Sequence, residues 1–300
     1  MEQHDHGHEG HHHTTNQRAL LLAFLLIVTF MVVEVIGGLW TNSLALLSDA
    51  GHMLGDAAAL GLSFLAVRFG ARKATPNQTF GYRRFEILAA FVNGLTLLVI
   101  SGYIIIEAYK RLFVPPEILS GGMLAIAVIG LLVNVLAAWI LMRGERDNLN
   151  VRSALLHVFG DLLGSVGAIT AALLILMFGW TLADPIASMF VALLILVSGY
   201  RVTRDAVHIL MEGAPDKVDV VAMQRDLATV EGVKEVHDLH VWSITSEEYA
   251  VTCHVLIDEA TDDQRVLHDV TERMKQYGSF GRSTVQIERE TAHCEERTIW

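Results

Sequence analysis

The chain carries one short pattern twice within apolar sequence, as HMLGD at 52–56 and as HVFGD at 157–161. Four residues are about one turn of an α-helix, so the histidine and the aspartate of each copy project from one helix face. Ionisable side chains inside apolar helices are costly and usually mark an ion pathway. The two stretches therefore predict two membrane helices that share a buried polar site.

The composition places the chain among membrane proteins. Of its 300 residues, 52% are apolar and 18% are charged, the mean hydropathy is +0.42, and the apolar residues come in blocks. The formal net charge of −11 argues against a nucleic-acid partner, because nucleic acids bind clustered lysine and arginine. The two cysteines are too few for a disulfide framework.

Six apolar segments are long enough to cross a bilayer, which takes about 20 helical residues. They are predicted at about 18–39, 43–69, 84–112, 119–142, 152–179 and 183–210. The chain then divides into three expected parts: a disordered His-rich segment at 1–16, a six-helix transmembrane domain at 17–212 and a cytosolic domain at 213–300. Four polar residues within the spans are expected to bond between helices, with the lining of a water-filled path as the alternative: Glu34, Asn93, Asn134 and Asp184.

The arginines and lysines of the short loops set the expected orientation. The connections after the second, fourth and sixth spans carry Arg68, Arg72, Lys73, Arg83, Arg84, Arg143, Arg146, Arg152, Arg201 and Arg204. Lys110 and Arg111 lie near the opposite face and are the one exception. The balance predicts that both termini are cytosolic. Arg83, Arg84 and Glu86 are expected to form an anchoring cluster at the cytosolic interface.

The sequence becomes soluble in character after Gly213-Ala214-Pro215. A helix is predicted near 217–231 with Asp216 as its N-cap. Strands follow at about 233–244 and 248–257, then a helix near 260–277 and a strand near 283–289. The order α-β-β-α-β predicts an α+β domain with two helices on one face of a three-stranded sheet.

Two His/Asp faces brought together offer two imidazole nitrogens and two carboxylate oxygens, enough for a four-coordinate zinc ion. The second and fifth spans are expected to be antiparallel, which sets each histidine near the aspartate of the other span. For one such pair, a role in hydrogen bonding between helices is the alternative. Two copies with the same spacing and the same ligand types favour a metal site. Asp49, one turn before His52, is a further oxygen ligand, a proton acceptor or a local cap.

Histidine in the ligand set favours zinc, with cadmium or cobalt as ions of similar preference. Free histidine titrates near pH 6.5, at about neutrality, and metal must displace its proton in order to bind. The residue types therefore predict exchange of Zn²⁺ for H⁺.

Two further groups of histidines are candidate metal ligands. The N-terminal group is predicted to collect metal loosely, with a purification tag as the alternative; it comprises His4, His6, His8, His11, His12 and His13. In the tail, His237 and His254 fall on adjacent predicted strands and Glu288 ends the third. The remaining tail candidates are His240, His268 and Glu290, and any one of these alone would be an ordinary surface group.

These features together resemble the cation diffusion facilitator family. The resemblance rests on the six spans, on the His-x-x-x-Asp pattern in the second and fifth, and on HDLHVW at 237–242. SDAGH at 48–52 and FGYRRFE at 80–86 are similar to the zinc-transporting branch among bacterial exporters.

The resemblance implies transport ligands at His52, Asp56, His157 and Asp161. It also implies a homodimer whose tail has a metallochaperone-like, or ferredoxin-like, fold and binds regulatory zinc through His237, His254 and Glu288, with His268 as an interface ligand. Members of the family often have histidine or aspartate near the last of these positions, where this chain reads QIERE at 286–290.

We therefore expect a transporter and no enzyme: a Zn²⁺/H⁺ antiporter that exports zinc, with cadmium or cobalt as further substrates. It would be a multi-pass protein of the bacterial cell membrane, in contact with the lipid bilayer. A membrane metal sensor and an intramembrane zinc metalloenzyme are the alternatives. The enzyme is disfavoured because the His-Glu-x-x-His motif is absent from the sequence.

Overall fold

The computed structural model describes residues 12–70, 74–142 and 149–289. Within those ranges it describes the backbone alone for residues 12–23, 56, 59–60, 63–70, 138, 140–142 and 149–161. The chain forms two compact units. The first unit runs up to Phe64 and continues over Val92–Thr203, and the second combines Leu65–Phe91 with the residues from Arg204 onward.

Six long helices account for the predicted spans. They are α1 (His12–Thr41), α2 (Leu44–Gly70), α3 (Phe85–Phe113), α4 (Ser120–Met142), α5 (Leu149–Phe178) and α6 (Ala183–Leu210). The number and order of helices agree with the prediction, and most boundaries differ by one to three residues. The exception is α1, which begins at His12 instead of near residue 18 because residues 12–17 contain no proline or glycine that would break a helix.

Within the described residues, four helices contain a stretch long and apolar enough to cross a membrane: α1, α3, α4 and α6. The described part of α5 contributes the shorter apolar stretch Leu162–Phe178. Many large apolar side chains on these helices are exposed, for example Val99, Leu132 and Phe190. Such a surface is what the hydrocarbon of a bilayer requires.

Small residues allow the helices of the first unit to pack closely. Ala127 of α4 and Ala168, Ala171 and Ala172 of α5 are buried in one cluster with Leu46 of α2. Close approach of backbones through small side chains is typical of helix association in membranes. Polar bonds join the same helices, since Asn134 Nδ2 of α4 donates to Ser165 Oγ of α5 at 3.2 Å.

The second unit contains the tail domain. Its elements are α7 (Val220–Leu227), β1 (Val233–Ser243), β2 (Tyr249–Ile257), α8 (Asp263–Met274) and β3 (Phe280–Arg289), in the predicted order. The strands lie in the order β1-β2-β3, with β1 antiparallel to β2 and β3 parallel to it. Asp219, not the predicted Asp216, is the N-cap of α7, because its carboxylate accepts the Ala222 N–H at 2.9 Å.

The two faces of the sheet differ in what they bury. Val251, Cys253, Val255 and Ile257 alternate along β2 and form a core with side chains of α7 and α8, including Met223. The side chains between them belong to the opposite face, because successive residues of a strand point to opposite sides. That opposite face carries His254.

The FGYRRFE segment belongs to the second unit. Arg83 forms an ion pair with Glu248, Arg84 Nη2 lies 3.5 Å from Glu212 Oε1, and Ser246 Oγ donates to Glu86 at 3.2 Å. The expectation of a cluster that only anchors the chain at the membrane interface was therefore incomplete. These side chains bond to the tail domain instead, because the tail places carboxylates and a hydroxyl within their reach.

Candidate metal centres

Helix α2 carries the first copy of the His-x-x-x-Asp pattern on continuous helical backbone. His52 is partly buried and lies next to the fully buried Met53. The side chains of Asp56, His157 and Asp161 lie outside the described part of the structure, although the backbone of each is helical. The four-residue transport site therefore stays a prediction.

Two glycines that the sequence analysis did not single out bring α2 against α3. A Cβ on Gly55 would lie 2.5 Å from Leu97 Cδ2, and one on Gly51 would lie 3.0 Å from Ile100 Cγ2. Asn93 Nδ2 also donates to the Gly55 carbonyl at 3.2 Å. The spacing Gly-x-x-x-Gly is a known signal for close helix pairs in membranes and could have been found. The two glycines flank His52 and hold its helix close to α3.

Asp49 is buried, with 1% of its surface exposed. Ser165 Oγ of α5 donates to Asp49 Oδ2 at 3.4 Å and itself receives the Asn134 side chain. Gly164 leaves room for this carboxylate, because a Cβ there would lie 2.3 Å from Asp49 Oδ1. Asp49 lies on α2, the helix that carries His52. It joins this helix to α5 and α4 through the side chains of Ser165 and Asn134.

Among the described residues, one group of side chains has the geometry of a metal centre: His237, His254 and Glu288. One ligand atom from each lies within 4.8 Å of the others. His237 and His254 are direct cross-strand partners, and their ring centroids are 5.4 Å apart. Glu288 arrives from β3, on the other side of β2. The three strands thus place two imidazoles and a carboxylate on the sheet face opposite the helices.

The burial of these three residues fits a bound cation. His237 and Glu288 side chains are each 8% exposed, and Glu288 lies 3.2 Å from His237 Nε2 and 2.9 Å from His254 Nδ1. Within the described residues, His237 Nδ1 is buried and makes no hydrogen bond. Buried polar atoms are rarely left so without an unseen partner. Two nitrogens and a carboxylate oxygen are donors that zinc accepts, with a fourth position left open.

Asp238 is a residue of this centre that the sequence analysis missed. It has a positive φ of 51° and lies at an irregularity in β1 between His237 and His240. Its Oδ2 lies 3.7 Å from His254 Nε2. Asp238 thus faces one nitrogen of the His254 ring while Glu288 faces the other, and a second carboxylate beside the ring restricts its orientation.

The remaining candidate ligands are placed apart from this cluster or are not described. His240 is exposed and bonds to Asp238 Oδ1 at 2.9 Å. His268 is exposed on α8 and is not among the three clustered residues. Glu290 lies outside the described residues, as do His4, His6, His8 and His11. His12 and His13 are described by backbone alone.

Cys253 is a packing residue, as its apolar strand predicts. It is buried on the helix-facing side of β2, and burial raises the pKa of its thiol to about 12. A thiol that holds its proton this firmly is a poor metal ligand near neutral pH.

Comparison with known proteins agrees with this architecture. Residues 20–211 match the model of the cation efflux transmembrane domain. Residues 215–290 match that of the cation efflux protein cytoplasmic domain, the dimerisation module of these transporters.

Three relatives are similar over nearly the whole chain. The cadmium, cobalt and zinc/H⁺-K⁺ antiporter of Bacillus subtilis is 49% identical over 93% of this chain and 90% of the relative. The zinc transporter ZitB of Escherichia coli is 45% identical over 97% and 94%, respectively. The metal cation efflux system protein CzcD of Cupriavidus metallidurans is 40% identical over 97% and 92%. The chain belongs to the cation efflux, or cation diffusion facilitator, family of multi-pass membrane transporters.

Proposed function

We propose that this chain is an antiporter that exports Zn²⁺ from the cytosol in exchange for H⁺. The observation that carries the proposal is the position of His52, one helical turn from Asp56, on a helix packed against its neighbours by glycines and a buried carboxylate. A second copy of the same pattern lies on α5. Relatives that cover most of the chain are named as zinc, cadmium and cobalt antiporters or zinc transporters, which supports the same metals here.

The transport cycle follows from the ligand types. Zn²⁺ from the cytosol binds His52, Asp56, His157 and Asp161 and displaces the protons that these side chains carry. The helices then rearrange so that the site opens to the other side, where protons return and zinc leaves. Asp49 lies close to this path and provides an additional carboxylate for a proton or for the metal.

The test is zinc uptake into proteoliposomes that contain an internal zinc dye and an imposed pH gradient. Wild-type chain should move zinc at a rate that follows the gradient, and His52→Ala, Asp56→Ala and Asp161→Ala should reduce the rate to that of empty liposomes. His240→Ala removes an exposed histidine of the tail and is the matched control. Normal uptake by the His52 or Asp56 variant would refute the transport site.

The same assay separates the alternatives. A metal sensor would bind zinc without moving it, and a metalloenzyme would show no response to the pH gradient. Repeating the uptake with cadmium, cobalt and manganese gives the metal range. We expect cobalt and cadmium to be carried and manganese to be excluded, because manganese prefers sites made of oxygen ligands.

We also propose that the tail binds regulatory zinc at His237, His254 and Glu288 in a homodimer with both termini in the cytosol. The support is the clustering of the three side chains on one sheet face and the match of the tail to the dimerisation module of the family. His268 of a second copy is the proposed fourth ligand. The test is the zinc dependence of the monomer–dimer equilibrium in detergent, measured by light scattering for the wild type and for Glu288→Ala and His268→Ala.

A further inference from the structure

Helix α2 begins with a cap that another helix supplies. Asp184, in the first turn of α6, is completely buried. Its Oδ1 accepts the Ser43 hydroxyl at 2.7 Å and the Ala45 N–H at 3.0 Å, and its Oδ2 accepts the Leu44 N–H at 2.9 Å. The first N–H groups of a helix have no partner within the helix. Asp184 therefore does from 140 residues away what an N-cap side chain ordinarily does locally.

The surrounding contacts hold this carboxylate and the turn before α2 in place. Asn42 joins α1 to α2 with a positive φ of 59°. Arg111 of α3 donates to the Asn42 carbonyl at 2.8 Å, and its Nη1 lies 4.0 Å from Asp184 Oδ2. The Arg111 side chain is only 13% exposed. Arg111 was an exception to the distribution of arginine and lysine among the loops, and its charge stabilises this turn through these contacts.

A second bond between α2 and α6 lies about one turn further along. Ser48 Oγ donates to the Ser188 carbonyl at 3.3 Å, and Ser188 Oγ donates to the Asp184 carbonyl at 2.6 Å. The two contacts together fix both the depth of α2 and its rotation about its own axis. His52 lies about 12 Å along α2 from Leu44, the first residue of the helix. Because an α-helix is stiff, these contacts near its first residues set the direction in which His52 points.

The geometry points to Asp184 as a positioning residue for the transported metal. We propose that its carboxylate, by capping α2, orients His52 and Asp56 toward the ion; this inference rests on the proposed transport site. Three donors converge on two oxygens, an arrangement that suits a carboxylate: asparagine offers a single acceptor oxygen and would set its own N–H groups against one of the donors. The negative charge is also favourable at a helix N-terminus.

The experiment uses the full-length chain in proteoliposomes. It measures the zinc concentration at half-maximal uptake, the maximal rate per folded protein and the preference for zinc over cadmium. Asp184→Asn removes one acceptor oxygen and the charge. Ser43→Ala removes one of the three donors and also the acceptor of the Leu46 N–H, which bonds Ser43 Oγ at 3.3 Å, and it leaves both backbone bonds to Asp184. Ser101→Ala is the matched control, because Ser101 is a buried serine of α3 that donates within its own helix, to the Leu98 carbonyl.

We expect Asp184→Asn to raise the half-saturating zinc concentration about tenfold, the size of effect typical when groups that orient metal ligands are lost. Ser43→Ala should raise it about threefold, since the bonds of the Ser43 hydroxyl to Asp184 and Leu46 are lost while both backbone bonds to Asp184 remain. Both should change the zinc-to-cadmium preference, because a displaced ligand favours one ionic radius over another. The control should match the wild type in all three measurements.

A cap that only stabilises the fold would lower the amount of folded protein and leave half-saturation and metal preference unchanged, and that result would overturn the proposal. If Asp184→Asn does not fold, Ser43→Ala decides by the same criterion. His52→Ala is assayed in parallel. Normal uptake by His52→Ala refutes the transport site itself, whereas an inactive His52→Ala with unaltered half-saturation in the Asp184 and Ser43 variants refutes only the positioning role.

Discussion

His237 and His254 face each other across the antiparallel strands β1 and β2, with their ring centroids 5.4 Å apart and their planes at 80°. Glu288 lies within 3.2 Å of a nitrogen of each ring. A folded domain that brings two imidazoles to one buried carboxylate loses the solvation of these groups, and a bound cation would offset that loss. This relationship is the basis of the first two predictions.

Replacing Glu288 with alanine should abolish tight zinc binding by the tail. The carboxylate is the one anionic member of the cluster, and without it zinc would keep only imidazole donors, two from this chain and the proposed His268 of a second copy. The measurement is zinc competition against a fluorescent chelator, with His52→Ala in both proteins to silence the transport site. The Glu288→Ala chain should bind one fewer tight zinc ion than the chain that retains Glu288. His240→Ala, which alters an exposed histidine outside the cluster, should keep the full stoichiometry.

Asp238→Asn should weaken tail zinc about tenfold without unfolding the domain. Asparagine tolerates the left-handed backbone found at this position, so the fold is preserved. It lacks the charge that faces His254 Nε2 at 3.7 Å and so orients the ring less firmly. The measurement is the zinc dissociation constant together with the ¹⁵N chemical shifts of His254. An unchanged affinity with unchanged ring shifts would contradict the role given to Asp238.

Gly55→Ala should impair zinc transport by forcing α2 away from α3. The added methyl would meet Leu97 Cδ2 at 2.5 Å, and overpacking of this kind costs about 1–3 kcal/mol. Gly61→Ala on the same helix is the matched control, because a Cβ there meets no atom of the described residues within 4 Å. Leu97→Ala combined with Gly55→Ala should restore much of the uptake rate; a double variant no better than the single one would argue against this contact.

Cys253 should resist alkylation in the folded chain at pH 8 and react readily after denaturation. Its pKa rises from 9.0 to about 12 through burial, so the thiolate is scarce in the native state. This difference in pKa makes the stability of the folded state depend on pH. Below pH 9 the thiol is protonated in both states. Between pH 9 and about 12 only the unfolded chain loses the proton, so the folded state becomes less stable as pH rises.

The corresponding measurement is the free energy of unfolding at pH 8 and pH 10 for the wild type and for Cys253→Ala. The free energy of unfolding of the wild type should fall by about 1.4 kcal/mol more than that of the variant, because pH 10 lies one unit above the ordinary pKa of the thiol. Equal losses in the two proteins would show that burial does not shift the Cys253 pKa.

Local sequence was sufficient for the helices and strands. Long apolar runs specify helices in a membrane whatever lies beside them, because every backbone N–H must be bonded within the segment. The spacing of His52 and Asp56 predicted a shared helix face, and the strand assignments placed His237 and His254 on adjacent strands.

The tertiary structure alone decided which distant residues meet. The capping of α2 by Asp184 joins residues about 140 positions apart, and no local pattern selects that partner among the polar residues of the spans. The fit of Gly55 against Leu97 and the approach of Asp238 to His254 depend on helix rotation and on a strand irregularity. Periodicity states which way a side chain points, but only the packing of whole elements determines what it meets.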